Sequence, residues 1–311
     1  MQKFLFRLII VFLLTWLSLE CVLRYFGLAR FTIPTEQIGN NCMLKPGYSG
    51  TYVGGGFGEI QSKFTINRQG WNSTVDYHIL QDTQKIRVAL IGDSYVEGLH
   101  SDVENSIGRQ LDRLTKNRTI THEFGRSGAN IEDFKLIYST QIQGNYDYVF
   151  VLLRDGNFNA TAPSFMNCKC PNTENTESIK GKIRYFYTHS AVLSYLNINQ
   201  LLSENLQRMY QDIRSKFSIE GNENDTSTIQ EQPIQTVKKQ IDWIFGPEVI
   251  VIYDSKRLDI RSKTIKYPTE ENVFMEIQHQ SKSVLDFGFD KHWNDLGRKD
   301  CAATLFHAIR L

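Results

Sequence analysis

Hydrophobic positions along this chain follow three rhythms. The first is a near-continuous run over 4–19, broken only by Arg7, with 8–19 uncharged throughout. An uncharged core of that length matches a signal-peptide h-region and falls short of the ~20 residues of a standard span. No small-x-small cleavage pattern follows it. Instead Glu20 and Arg24 stand four apart, where they can pair on one helix face while their stems snorkel at an interface. Counting on to Phe26 makes a helix long enough to cross. The preferred reading is an uncleaved signal anchor over 1–27, ahead of a cleaved signal and a buried soluble helix. Lys3, Arg7 and the amino terminus before the uncharged span, against Arg24 and Arg30 after it, lean slightly towards a cytoplasmic N-terminus. The rest of the chain is then expected on the extracytoplasmic side, periplasmic or at the cell surface.

The second rhythm is a loose alternation over 28–80, a segment rich in Gly, Thr, Tyr and Asn. Residues 62–67 read as a strand and 54–58 as a flexible glycine turn. The third begins at residue 86, where short β-branched runs alternate with helical patterns. Strands are expected at 86–91, 120–124, 148–153 and 249–253, with a helix at 107–114 and another closing the chain. Such alternation predicts an α/β domain, a three-layer sandwich with a mainly parallel central sheet. One domain is expected over 28–311, carrying an insertion at 159–246. That insertion reads as an irregular Asn/Pro/Cys-bearing loop, then a helical run over 192–217. A polar stretch over 218–235, expected to be mobile, precedes a further helical pattern over 236–245.

Composition narrows the function classes. The formal net charge is +1 and there is no basic cluster with interleaved aromatics, so nucleic acid is not an expected partner. Cys168 and Cys170, one residue apart, do not have a usual zinc or redox spacing, and no second Cys/His pair completes a metal site. In an oxidising compartment Cys168 or Cys170 can pair with Cys42, and the odd count of five leaves at least one free thiol.

Polar chemistry gathers where the third rhythm breaks. The run at 88–91 stops at Gly92-Asp93-Ser94, ahead of a helix. A serine there holds its hydroxyl above the carboxyl edge of a parallel sheet, near free backbone N–H groups. The plain alternative is that Asp93 or Ser94 only caps the helix. Gly125 and Gly128 follow the second strand, where the backbone N–H can approach a reacting group. Asn157 follows the third with a side-chain amide. Asp290 and His292 precede the last helix. Strand exits in a parallel sheet share one edge, so these groups can converge from distant parts of the chain. His100, shortly after Ser94, is a candidate for the rim of a pocket.

In this order the blocks resemble the SGNH (GDSL-type) hydrolase superfamily, over roughly 86–311. Gly92-Asp93-Ser94 with Gly98 matches its first block and Gly128 its second, with Gly125 as the other choice. Asn157 matches the third block, and Asp290 with His292 the fifth. The anchor is also similar to that of membrane-anchored bacterial members. Two departures stand out. Phe158 follows Asn157 where the family has aspartate, and Asp290-Lys291-His292 is one residue shorter than the usual Asp-x-x-His, which leaves Asp286 as an alternative orienter. Asp-x-His-Trp resembles a subset that includes polysaccharide O-acetyltransferases of the alginate type.

The resemblance implies a flavodoxin-like fold and a Ser94–His292–Asp290 triad. It also implies an oxyanion hole built from Gly128, Asn157 and the Ser94 N–H, and a mechanism that needs no metal and no organic cofactor. The implied substrate is an acyl or acetyl ester, a small molecule or an envelope glycan, with the membrane engaged through the N-terminal helix. A polysaccharide O-acyltransferase with the same triad, and an inactive glycan- or partner-binding domain, are the alternatives.

Overall fold

The computed structural model describes residues 2–77, 84–142, 145–158, 165–166, 168–170, 179–199, 249–254, 273–279, 286–287 and 290–309. The expectations over 200–217, 218–235 and 236–245 lie outside the described residues. The chain divides into two compact units. One comprises Met1–Thr32, Tyr52–Gln61 and Glu174–Glu231; the other comprises Ile33–Thr51, Ser62–Thr173 and Gln232–Leu311.

The first unit opens with α1 (Gln2–Tyr25), a helix long and apolar enough to cross a membrane by length and composition. The expected pair forms: the Arg24 guanidinium lies 2.7 Å from the Glu20 carboxylate. In the larger unit β1 (Thr35–Ile38) and β2 (Asn41–Leu44) form an antiparallel ladder. Two further short strands, β3 (Ser49–Gly54) and β4 (Ile60–Thr65), make a second two-stranded sheet around the expected glycine turn. Cys42 bonds to Cys170, which resolves the open pairing and leaves Cys21, Cys168 and Cys301 as thiols.

The larger unit is built on β5 (Ile86–Gly92), followed by α2 (Ser94–Glu97), α3 (Ile107–Leu114), β6 (Thr119–Gly125), α4 (Ile131–Ile137) and β7 (Tyr148–Leu153). In the smaller unit come α5 (Ile179–His189), where an irregular loop was expected, and α6 (Ala191–Ser194). The larger unit resumes with β8 (Val249–Tyr253), β9 (Val273–Glu276) and α7 (Asp295–Ala308). Strands pair in the order β6-β5-β7-β8-β9, every pair parallel. Counted from β5, that is the flavodoxin-like order 2-1-3-4-5, and the sequence direction reverses between β5 and β7.

Period-two alternation divides the core in two. Ala89, Ile91, Val149, Val151 and Val251 face α4 through Ile131, Phe134 and Ile137, and Met43 and Trp71 join them. Val88, Leu90, Phe150, Leu152 and Ile252 face α3 and α7 through Ile107, Leu111, Cys301, Ala302 and Leu305. The four residues from Val88 to Ile91 are inaccessible to solvent, with Val88, Leu90 and Ile91 each contributing roughly 1.5–3 kcal/mol by burial. Helices on both faces make this a three-layer α/β sandwich, as the strand–helix alternation predicts. Each flanking helix starts on a side-chain cap: Ser106 on Arg109 N–H, the Asn130–Asp133 box, and Asn294 on Leu296 and Gly297 N–H.

Candidate active site

β5 delivers Asp93 and Ser94 to the carboxyl edge of the sheet beside the reversal of strand order, the position that favours a binding crevice in this topology. A sharp turn makes the delivery possible. A Cβ on Gly92 would stand 2.3 Å from Val96 Cγ2, and Gly98 ends α2 at φ 72° with its N–H on the Ser94 carbonyl at 3.0 Å. Asp93 is the buried hub of this turn. One carboxylate oxygen accepts the Tyr95 N–H at 3.0 Å, capping α2. The other accepts Arg154 Nε at 2.9 Å, Arg154 Nη2, and Asn157 Nδ2 at 3.0 Å. A charge buried this deeply needs such partners. The capping alternative therefore holds for Asp93 and leaves Ser94 Oγ free for chemistry.

Ser94 Oγ lies 2.8 Å from His292 Nε2, although the two are 198 residues apart. His292 Nδ1 lies 2.5 Å from Asp290 Oδ1, which also accepts the His292 backbone N–H at 2.9 Å. The shortened Asp-x-His spacing thus closes as a local turn around one carboxylate oxygen. The second oxygen, Oδ2, lies 3.3 Å from His100 Nε2. The His100 and His292 rings stack with centroids 3.8 Å apart at 10°. His292 also lies against Tyr95, whose hydroxyl donates to the Lys291 carbonyl at 2.5 Å. Asp286, the alternative orienter, instead bridges Trp293 through the backbone and offers its carbonyl to Asn294.

Burial lowers the pKa of His292 below its ordinary 6.5, against the upward pull of the Asp290 hydrogen bond and charge. Burial alone would raise Asp290, but the two His292 hydrogen bonds and the nearby imidazoles hold it below 3.8. A neutral imidazole beside an ionised carboxylate is the state in which Nε2 can accept a proton. His100, Asp290 and His292 also offer atoms within 4.8 Å of one another, the spacing of a metal ligand set. Their geometry fits a hydrogen-bonded relay better. Imidazole lone pairs lie in the ring plane, so two stacked rings do not aim at one ion, and both His292 nitrogens already face partners.

The glycines after β6 separate cleanly. A Cβ on Gly125 would stand 2.1 Å from Glu97 N, so Gly125 lets β6 pack against α2. Gly128 sits exposed at φ 80° with nothing within 4 Å of a built Cβ, so its left-handed backbone and not close packing accounts for the glycine. Glu97 secures this loop, accepting the Ser127 N–H at 3.0 Å and the Ser127 hydroxyl. Burial pushes the Glu97 carboxyl up, against Arg126 and the Ser127 bonds. Asn157 is buried, with its amide hydrogens on Asp93 and on the Ala129 carbonyl at 3.1 Å, and its Oδ1 accepts the Arg154 N–H at 2.6 Å. The Phe158 side chain lies outside the described residues.

Sequence reading assigned no role to Arg154 and missed the His100 stack. A buried Asp93 demands a cation, and Arg154, the first residue after β7, was the signal for it. His100 carried no comparable signal, since its partners lie some 190 residues away.

No protein-family model matches the chain, and no curated protein does. Among solved structures it is similar to a lipolytic protein of the G-D-S-L family from Desulfitobacterium hafniense DCB-2, at 11% identity and TM-score 0.34, covering 72% of this chain and 100% of that one. A carbohydrate acetylesterase family member from Sinorhizobium meliloti matches at 10% and 0.33, covering 72% and 97%. A carbohydrate esterase family 2 enzyme with its carbohydrate binding domain from Corynascus thermopiles matches at 11% and 0.33, covering 72% and 65%. Likenesses at these values carry no argument about activity, which rests on the geometry above.

Proposed function

We propose that this chain is a membrane-anchored serine ester hydrolase of the SGNH type, acting outside the cytoplasm on an acyl or acetyl ester of an envelope glycan. The observation that carries the reading is the continuous relay from Ser94 Oγ through His292 to Asp290. His292 Nε2 takes the hydroxyl proton as Oγ attacks the ester carbonyl, and Asp290 holds the imidazole tautomer and balances its charge. The tetrahedral oxyanion is bound by the N–H groups of Ser94 and Gly128. Asn157 joins them by releasing the Ala129 carbonyl while it keeps Asp93. His292 then protonates the departing alcohol, and water attacks the acyl-enzyme to release the acid and restore the serine. Each oxyanion donor is worth roughly 10²–10³ in turnover. His100 acts as a positioning residue, holding the second oxygen of Asp290 and the plane of His292.

The extracytoplasmic placement is supported by α1 as an anchor and by the Cys42–Cys170 disulfide, a bond that persists in oxidising compartments. A second reading, transfer of the acyl group to a glycan hydroxyl, is favoured by the Asp290-Lys291-His292-Trp293 arrangement. The test uses the full chain in detergent, wild type and Ser94→Ala, with a fluorophosphonate probe and p-nitrophenyl acetate. Labelling and acetate release that both depend on Ser94 are expected. Identical behaviour of the two proteins overturns the reading and leaves a non-catalytic binding domain. A glycan acceptor added to the same reaction distinguishes transfer, which modifies the acceptor, from hydrolysis, which does not.

A further inference from the structure

Helix α5 presents the wrong face to water. Helical spacing aligns Ile179, Lys182, Phe186 and His189 along one stripe, with Tyr185 beside Phe186. A helix packed on a soluble core turns such a stripe inward. Here Ile179 is 79%, Tyr185 58% and Phe186 59% exposed, and Lys182 is exposed with them, whereas Gly181 is buried. Tyr185 stacks on His189 at 3.9 Å, which extends the aromatic surface to the end of the helix.

Contacts within the same unit fix where this surface lies along α1. The Arg24 guanidinium donates to the His189 carbonyl at the end of α5. The Glu20 carboxylate accepts the Ser190 hydroxyl at 2.9 Å and the N–H groups of Ala191 and Val192 at 2.7 and 3.0 Å, capping α6. Leu23, Ala29, Ala191 and Val192 bury one another, with Trp16 and Leu28 against them. The corner between α5 and α6 is therefore clamped to the last two turns of α1. The apolar run at 4–19 is about 24 Å long at ~1.5 Å per residue, a few ångströms short of a ~30 Å hydrocarbon core, a mismatch met by flanking charged residues that snorkel to the interface. Glu20 and Arg24 then lie among the headgroups, and so does the corner they hold. Tyr25 and Phe26, both exposed, supply the aromatic residues usual at that depth. The α5 sequence carries basic residues at 180, 182 and 184, which suits anionic phosphates.

We propose that α5 is an interfacial helix, with Ile179, Tyr185 and Phe186 seated at the headgroup–acyl boundary of the bilayer that α1 crosses and Lys182 among the phosphates. The proposal rests on α1 as a membrane anchor and is independent of the esterase chemistry. Its effect is to give the anchored unit a second point of membrane contact, so that α1 does not act as a free swivel.

The test places the photo-crosslinker p-benzoylphenylalanine singly at Leu13, Phe186 and Thr188 of the full chain. The protein is held in nanodiscs of phosphatidylethanolamine and phosphatidylglycerol, irradiated, and read for lipid adducts by mass spectrometry. Thr188 is two residues on, about 200° round the helix from Phe186. Adducts are expected at 13 and 186, with the yield at 186 about tenfold above that at 188, as insertion of one face requires. Adducts at 13 with none at 186, or equal yields at 186 and 188, overturn the interfacial helix while leaving the anchor intact. No adduct at 13 overturns both. Circular dichroism on each variant verifies that the helices have formed before the adducts are read.

Discussion

The two compact units treat the same kind of side chain in opposite ways. In the larger unit Val88, Leu90 and Ile91 are wholly withdrawn from solvent, whereas in the smaller one Leu13, Leu14 and Leu17 lie more than half exposed along α1. Length and interruption make the difference. The run leading to Ser94 is short, is paired on both sides by β6 and β7, and stops at a glycine, so it ends by presenting polar groups at a sheet edge. The run at 4–19 satisfies its backbone within one helix and has no sheet to enter, and that helix has the length and composition to cross a membrane. A candidate site arises where an apolar segment is cut off inside a layered core; a candidate span arises where it is not.

Substitutions at the sheet edge should break this comparison most sharply. Ser94→Ala should lower turnover by roughly 10⁴–10⁶ with an unchanged urea midpoint, because a half-buried hydroxyl serves chemistry and not packing. A measured loss of stability of the same order would make Ser94 a structural residue. Asp290→Asn should cost roughly 10²–10⁴ in turnover through the wrong imidazole tautomer, with little change in stability. Asp93→Asn should do the reverse of Ser94→Ala. It leaves the Arg154 guanidinium without its anion and should cost about 3–5 kcal/mol in urea unfolding.

Smaller effects separate the two glycines. Gly125→Ala drives a methyl group into the backbone of α2 and should cost about 3 kcal/mol. Gly128→Ala has open space and only its positive φ to resist it, about 1–2 kcal/mol. Equal destabilisation would remove the distinction between a packing glycine and an open one.

Acid should act on the larger unit through His292. With its pKa held below 6.5, kcat/KM for p-nitrophenyl acetate should rise with pH through a value under 6.5 and stay level above neutrality. The folded state prefers the neutral ring, so the stability this preference contributes is complete above the unfolded value near 6.5. It is lost as the pH falls through the lower folded value. Asp290, also held below its ordinary 3.8, loses its share further down still. An activity midpoint above 7 would contradict the buried, neutral ring.

The smallest effect belongs to the smaller unit. Glu20→Ala leaves the Ser190 cap on Leu193 but removes the acceptor of the Ala191 and Val192 N–H groups, and should lower local stability by about 1 kcal/mol, read as faster amide exchange at those two residues in nanodiscs. Unchanged exchange there would mean that apolar contact with α1 holds the corner without the carboxylate.

Much of the sheet is legible from pattern alone. The helix expected at 107–114 is α3 to the residue, and the four expected strands are β5 to β8, because period and punctuation are local properties of a chain. β9, four residues long, offers too few positions to show a period. α5 was not legible because its apolar stripe faces away from the protein and its sequence mixes basic with aromatic residues. The order of the Gly-Asp-Ser, glycine, asparagine and histidine blocks was likewise visible, since each is a short local motif at the end of an element. Tertiary structure alone decided that Asp93 is held by Arg154 and Asn157, that His100 stacks on His292, that Glu20 caps a helix 170 residues away, and that Cys42 takes Cys170. Those contacts join residues that share no period and no neighbourhood in the chain. The contacts around Asp93 and His292 follow from the parallel register of the sheet and the layers packed on it, which bring distant strand exits to one edge.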